Sequence, residues 1–156
     1  MRSRTSNWFI AKIRYEKTME DGLQKKVTEQ YVVDALSFTE AEARIMEEMS
    51  SYISGEFKLK DLKYAPFKEI FFADVDSADD KWYQARLAFI TIDEKTEKEK
   101  RSNVNCLVQA GSMDSALKAI NEVMWGTMID YVTYKVAETP IMDVFEFLKK
   151  DEKESK

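Results

Sequence analysis

Apolar and polar residues alternate along NWFIAKIRYEK (7–17). Phe9, Ala11, Ile13 and Tyr15 fall on one side, and Trp8, Lys12 and Arg14 on the other. A period of two marks a half-buried strand. The alternation returns in KWYQARLAF (81–89), where Trp82 stands 74 residues after Trp8 and the row Tyr83, Ala85, Leu87, Phe89 answers the first row. Glu20-Asp21-Gly22 then signals a turn, and KVTEQYVVDAL (26–36), rich in Val, Thr and Tyr, reads as a returning strand. DEKTEKEKR (93–101) and SNVNCLVQA (102–110) are the later counterparts. Each half predicts a long β-hairpin.

The period then changes. In SFTEAEARIMEEMSSYIS, residues Phe38, Ala41, Ile45, Met49 and Tyr52 recur at three- and four-residue steps, the stripe of an amphipathic helix. Ser37 or Thr39 serves as N-cap, with Glu40 or Glu42 three residues later, and Gly55 as the stop. SMDSALKAINEVMWGTMI (112–129) repeats the stripe with Met113, Ala116, Ile120 and Met124, 75 residues on. The extra residue belongs to the loop between strand and helix. Strand-like EFKLKDLKYA (56–65) and DYVTYKVAE (130–138) follow, then Pro66 and Pro140, then apolar FKEIFFA (67–73) and IMDVFEF (141–147). Proline cannot donate to a ladder, so each marks a break between elements.

These agreements predict an α+β fold made by tandem duplication of a strand–strand–helix–strand unit with a short fourth strand. The expected arrangement is an antiparallel sheet with helices on one face and internal pseudo-twofold symmetry. The repeats run over about 7–73 and 81–147 within a single compact domain, 1–150. DVDSADD (74–80) links them, and residues 148–156 form a charged tail. A repeat of this size buries too little apolar surface to be secure alone.

Composition narrows the chemistry. The chain has 156 residues, 44% hydrophobic and 34% charged, in the range of folded globular proteins. A formal charge of -5 argues against broad binding of nucleic acid or an anionic membrane. No apolar run reaches the ~20 residues of a membrane helix. With one cysteine, Cys106, no internal disulfide forms, and a cytoplasmic location is the economical expectation. The absence of histidine removes the usual general base, nucleophile partner and imidazole ligand. Asp74, Asp76, Asp79 and Asp80 lack the glycine and terminal Glu of a calcium loop and read as a solvated linker. No catalytic, metal or cofactor-binding residue is assigned.

The candidate binding surface is Trp8, Trp82, Lys12, Arg14 and Arg86, where an aromatic shares a strand face with cations. The competing reading has each Trp filling the interior. Lys58, Lys60, Lys63 and Lys68 gather around the third strand, as a basic groove or as the guard of an edge strand. Cys106 reads as a small buried hydrophobe, and the methionines Met46, Met49, Met113, Met124 and Met128 as core.

The wording NWF…K.RYEKTMEDGLQKKVTE.Y.VDALSFTEAEARI…P resembles a bacterial family of about this chain length known as a domain of unknown function. The likeness runs from Trp8 to about Phe147, with VDALSFTEAEARI its most specific part. It implies a small cytoplasmic bacterial protein and brings no activity, cofactor or site residue. The function expected is a non-enzymatic binding or regulatory module for a protein or small ligand. Single-stranded nucleic-acid binding through the Trp/Lys/Arg face is the alternative, and an enzyme ranks third. Exposed edge strands leave a homodimer open.

Overall fold

The computed structural model describes residues 1–74 and 78–148. Among the described residues nine strands and two helices follow one another in the order β1 (Arg2–Thr5), β2 (Trp8–Thr18), β3 (Gln24–Asp34), α1 (Phe38–Tyr52), β4 (Phe57–Tyr64), β5 (Glu69–Phe72), β6 (Lys81–Ile92), β7 (Glu99–Ala110), α2 (Met113–Trp125), β8 (Asp130–Glu138) and β9 (Ile141–Phe145). The fold is α+β. The strands form two sheets, ordered β4-β2-β3-β9 and β1-β5-β7-β6-β8.

Both sheets are mixed, which corrects the expectation of an antiparallel one. β3 pairs with β9 in parallel, and β5 with β7 in parallel. The cause lies at the prolines. After β4 the chain passes Pro66 and β5 joins the sheet of the later hairpin. After β8 it passes Pro140 and β9 joins the sheet of the earlier hairpin. The compact units are therefore Asn7–Ala65 with the chain from Pro140, here the early unit, and Met1–Ser6 with Pro66–Thr139, here the late unit. The expected repeat boundaries, about 7–73 and 81–147, cut across both. Proline has no N–H to place in a ladder, so each strand can end there and the next begin elsewhere.

In the early unit, β2 and β3 pair from Trp8↔Asp34 to Thr18↔Gln24. The β2–β4 ladder shifts between Lys12 and Ile13, leaving Lys60 as the additional residue of a bulge. Phe9, Ala11 and Ile13 point to the α1 side and form a core with Val33, Ala41, Ile45, Met49 and Phe145. Burying Ile45 or Met49 contributes about 2 kcal/mol each. The Ser37 hydroxyl caps α1 by accepting from the Glu40 N–H at 3.1 Å, while the Glu40 carboxylate accepts from the Leu36 N–H. The helix ends at Tyr52, before Gly55, with Ile53 extended as C-cap. Phe38, at the start of the expected stripe, is exposed and packs edge-on against Phe9 and Tyr64.

The late unit has the same pairing order in β5-β7-β6-β8, with β1 added outside β5. Its β6–β8 ladder shifts between Arg86 and Leu87, with Tyr134 the bulged residue. Tyr83, Ala85 and Leu87 meet Ala116, Ala119, Ile120 and Met124 of α2, and the Ser112 hydroxyl caps that helix. The methionine expectation holds at Met49 and Met124. It fails at Met113 and Met128, which are 49% and 90% exposed because the first opens α2 and the second lies in the turn beyond its C-cap.

Each incoming strand is clasped where it ends. In the early unit Asp34, fully buried, accepts from the N–H groups of Phe147 and Leu148 just beyond β9. Arg44 donates to the Asp34 carbonyl, and its guanidinium lies over the Phe147 ring. In the late unit Gln109 accepts from the Ala73 N–H just beyond β5 and donates to the Asp79 carbonyl. Asp34 and Gln109 are the partners of Trp8 and Trp82 in their ladders.

Candidate functional site

The β2–β3 hairpin extends past the end of its neighbour. β4 begins opposite Tyr15, so Glu16, Lys17 and Thr18 have a strand on one side only. Ser54, Gly55 and Glu56 leave the end of α1 beside this overhang. The result is an open cleft of about 660 Å³, lined by Arg14, Tyr15, Glu16, Thr18, Gln24, Lys26, Ser54, Gly55, Glu56, Phe57, Lys58 and Lys60.

Four cations meet there. Arg14 lies opposite Lys58 on β4, Lys26 opposite Glu16 on β3, and the bulge delivers Lys60. All four are exposed. Among the described residues none of the four has an ion pair or a side-chain hydrogen bond, although Glu16 and Glu56 are in the same lining. The Tyr15 hydroxyl, by contrast, is committed. It donates to Glu29 at 2.7 Å, as does Tyr31 from the other side at 3.1 Å. Burial, and then the Glu29 carboxylate, push the Tyr15 pKa up to about 12, so its proton stays at neutral pH.

The candidate surface read from the sequence is divided by the structure. Trp8 and Trp82 are interior, 1% and 3% exposed, and neither indole is open to a base or ligand. Trp82 meets Phe72 edge-on at 5.8 Å, and the Trp82 carbonyl accepts from the Thr139 N–H. The Trp8 carbonyl accepts from the Ala65 N–H in the same way. Lys12 is half-buried on the face that carries Arg14, between Gln30 and Asp61. Arg86 belongs to the other sheet, opposite Asn105 and Lys135. Only Arg14 of the five lines the cleft. Lys58 and Lys60 were visible in the sequence as a lysine cluster, whereas Lys26 gave no signal, since its position depends on hairpin register.

Cys106 is buried, and burial followed by the nearby Glu69 pushes its pKa up to about 12. That thiol is inert at neutral pH. Among the described residues no group of three His, Cys, Asp or Glu is arranged to hold a metal ion, and no helix is long and apolar enough to cross a membrane. Of the acidic linker and the charged tail, residues 75–77 and 149–156 lie outside the described residues.

A family model matches residues 7–147, from the residue before β2 to Phe147 just beyond β9. The chain belongs to that family. It is described as a domain of unknown function, DUF4494, and its span takes in the cleft and every strand and helix except β1. No curated protein and no solved structure matches the chain.

Proposed function

We propose that the chain is a duplicated scaffold with reciprocally exchanged strands, and that its early unit is a non-enzymatic module binding an anionic ligand in the cleft at the end of β4. The observation that carries this reading is the convergence of Arg14, Lys26, Lys58 and Lys60 without a counter-charge bonded to any of them. Cations held in one concavity repel each other, and a bound carboxylate or phosphate relieves that repulsion. The late unit offers a natural contrast. Where the early unit has Lys58 and Lys60, the late unit has Val132 and Tyr134, and its Arg101 donates to the Tyr134 hydroxyl and pairs with Glu99.

Duplication is supported by the shared strand order, the bulge at one common position and the two clasps. Binding is favoured over catalysis because, among the described residues, the Tyr15 hydroxyl alone of the cleft's side-chain groups is fixed by a hydrogen bond, and that group keeps its proton. The single buried cysteine is in keeping with a cytoplasmic location. The nucleic-acid alternative loses support, since stacking needs open rings. Both indoles are interior, and the aromatics nearest the cations, Tyr15 and Phe57, pack against the core.

Titration with inorganic pyrophosphate at low salt tests the reading by calorimetry. Binding is expected for the wild-type chain, with at least tenfold weakening in Lys58→Glu/Lys60→Glu and on raising salt to 0.5 M. No heat at millimolar pyrophosphate, or equal binding by the variant, sinks it.

A further inference from the structure

We propose that the natural ligand of this cleft is an acidic, extended polypeptide segment that adds to β4 as a further strand. The inference rests on the anion-binding reading above and goes on to name the partner's chemistry. β4 is the terminal strand of its sheet and pairs with β2 alone. Among the described residues, no backbone group of 57–64 bonds to anything except that one neighbour. An open edge carries a row of unused donors and acceptors, and a partner strand satisfies them.

Charge selects the partner. Three lysines, Lys58, Lys60 and Lys63, stand along this eight-residue edge, and Arg14 lies across from Lys58. The corresponding edge strand of the late unit has Val132, Tyr134 and Ala137 at those positions. A guard of the same strength is missing from β8, which shares the geometry and has a single lysine, Lys135. The lysines of β4 instead repel a basic strand and reward an acidic one. Alternation places every second side chain of an added strand on the cationic face, so a segment with Glu or Asp at every other residue fits best. A bulge at Lys60 brings an additional ammonium to that edge.

Fluorescence anisotropy on the full chain tests the inference with three probes. They are a labelled peptide alternating Glu and Thr, the same peptide N-methylated at every residue, and a labelled oligo-dT. The first peptide is expected to bind, at least tenfold more tightly than the N-methylated one, which keeps its charge and loses edge pairing. Lys58→Glu/Lys60→Glu, checked for folding by circular dichroism, weakens the first peptide at least tenfold. Amide chemical-shift changes are expected within 57–64. Equal binding of the two peptides, or tighter binding of oligo-dT, overturns the inference. Pyrophosphate binding without any peptide binding overturns it too and leaves the anion-binding reading standing, whereas silence from every probe ends both.

Discussion

The early and late units use one strand order for two different outer surfaces. On the side of the sheet away from α1, the far part of the early hairpin presents Arg14, Glu16 and Lys26 beside Lys58 of β4. The matching positions of the late unit are Ala88, which is buried, and Ile90, Arg101 and Val132, with Tyr134 at the bulge. One surface is cationic, and among the described residues none of its four cations is bonded to a carboxylate. The other is largely apolar, with Tyr134 51% exposed and its arginine already engaged. The inner faces differ much less. Phe9, Ala11 and Ile13 are matched by Tyr83, Ala85 and Leu87, each under a helix. Packing constrains the face under each helix, while the exposed end of the opposite face is where the two units diverge.

The largest effect expected is one in which the units behave alike. Trp8→Ala and Trp82→Ala each remove a ring that is almost fully buried and should cost about 3–5 kcal/mol. Urea unfolding followed by circular dichroism measures this, and a neutral result at either position would take that indole out of the interior.

The clasps should separate the units. Asp34→Ala strands the N–H groups of Phe147 and Leu148 with no acceptor, at about 2–4 kcal/mol, while Gln109→Ala strands that of Ala73 at about 1–2 kcal/mol. Equal losses in urea would mean that the carboxylate holds β9 no more firmly than the amide holds β5.

A surface exchange sharpens the contrast further. Lys58→Val/Lys60→Tyr gives the early unit the side chains of the late one. It should abolish pyrophosphate binding while changing stability by less than about 0.5 kcal/mol, as is usual for exposed positions. Retained binding would show that the other cations suffice.

The smallest effect concerns a carboxyl on each exchanged strand. Burial raises the pKa of Glu69 above 4.5, and partial desolvation of its carboxyl raises that of Asp143 above 3.8. Both hold their protons to higher pH when folded, so the stability they contribute is complete below the ordinary value and is lost as pH rises through the raised one. Glu69→Gln should therefore stabilise the chain at pH 7, by about a few tenths of a kcal/mol, with no gain at pH 3. Asp143→Asn should do less, because Asp143 is exposed while Glu69 is half-buried. Melting curves at the two pH values check both, and a gain that persists at pH 3 would contradict the titration.

Local signals were legible. The period-two rows, the helix stripes at Ala41, Ile45, Met49 and Ala116, Ile120, Met124, the Ser37 cap and the proline breaks all depend on neighbours a few residues away. β1 was not foreseen, since RSRT carries no apolar pattern and forms a strand only by pairing with β5. The cleft was half legible. The cations could be counted, but Lys26 joins Lys58 and Lys60 only through hairpin register and a bulge.

By itself the sequence determined the order of elements, the inner rows of both hairpins and the points where strands must stop, because side-chain period and proline act locally. Only the tertiary structure decided which sheet β5 and β9 join, that Trp8 and Trp82 are interior, and which cations stand unpaired around one cleft. Those outcomes depend on partners far away in the chain. A strand's pattern records that it has a buried face, and contains nothing about whose edge it will meet.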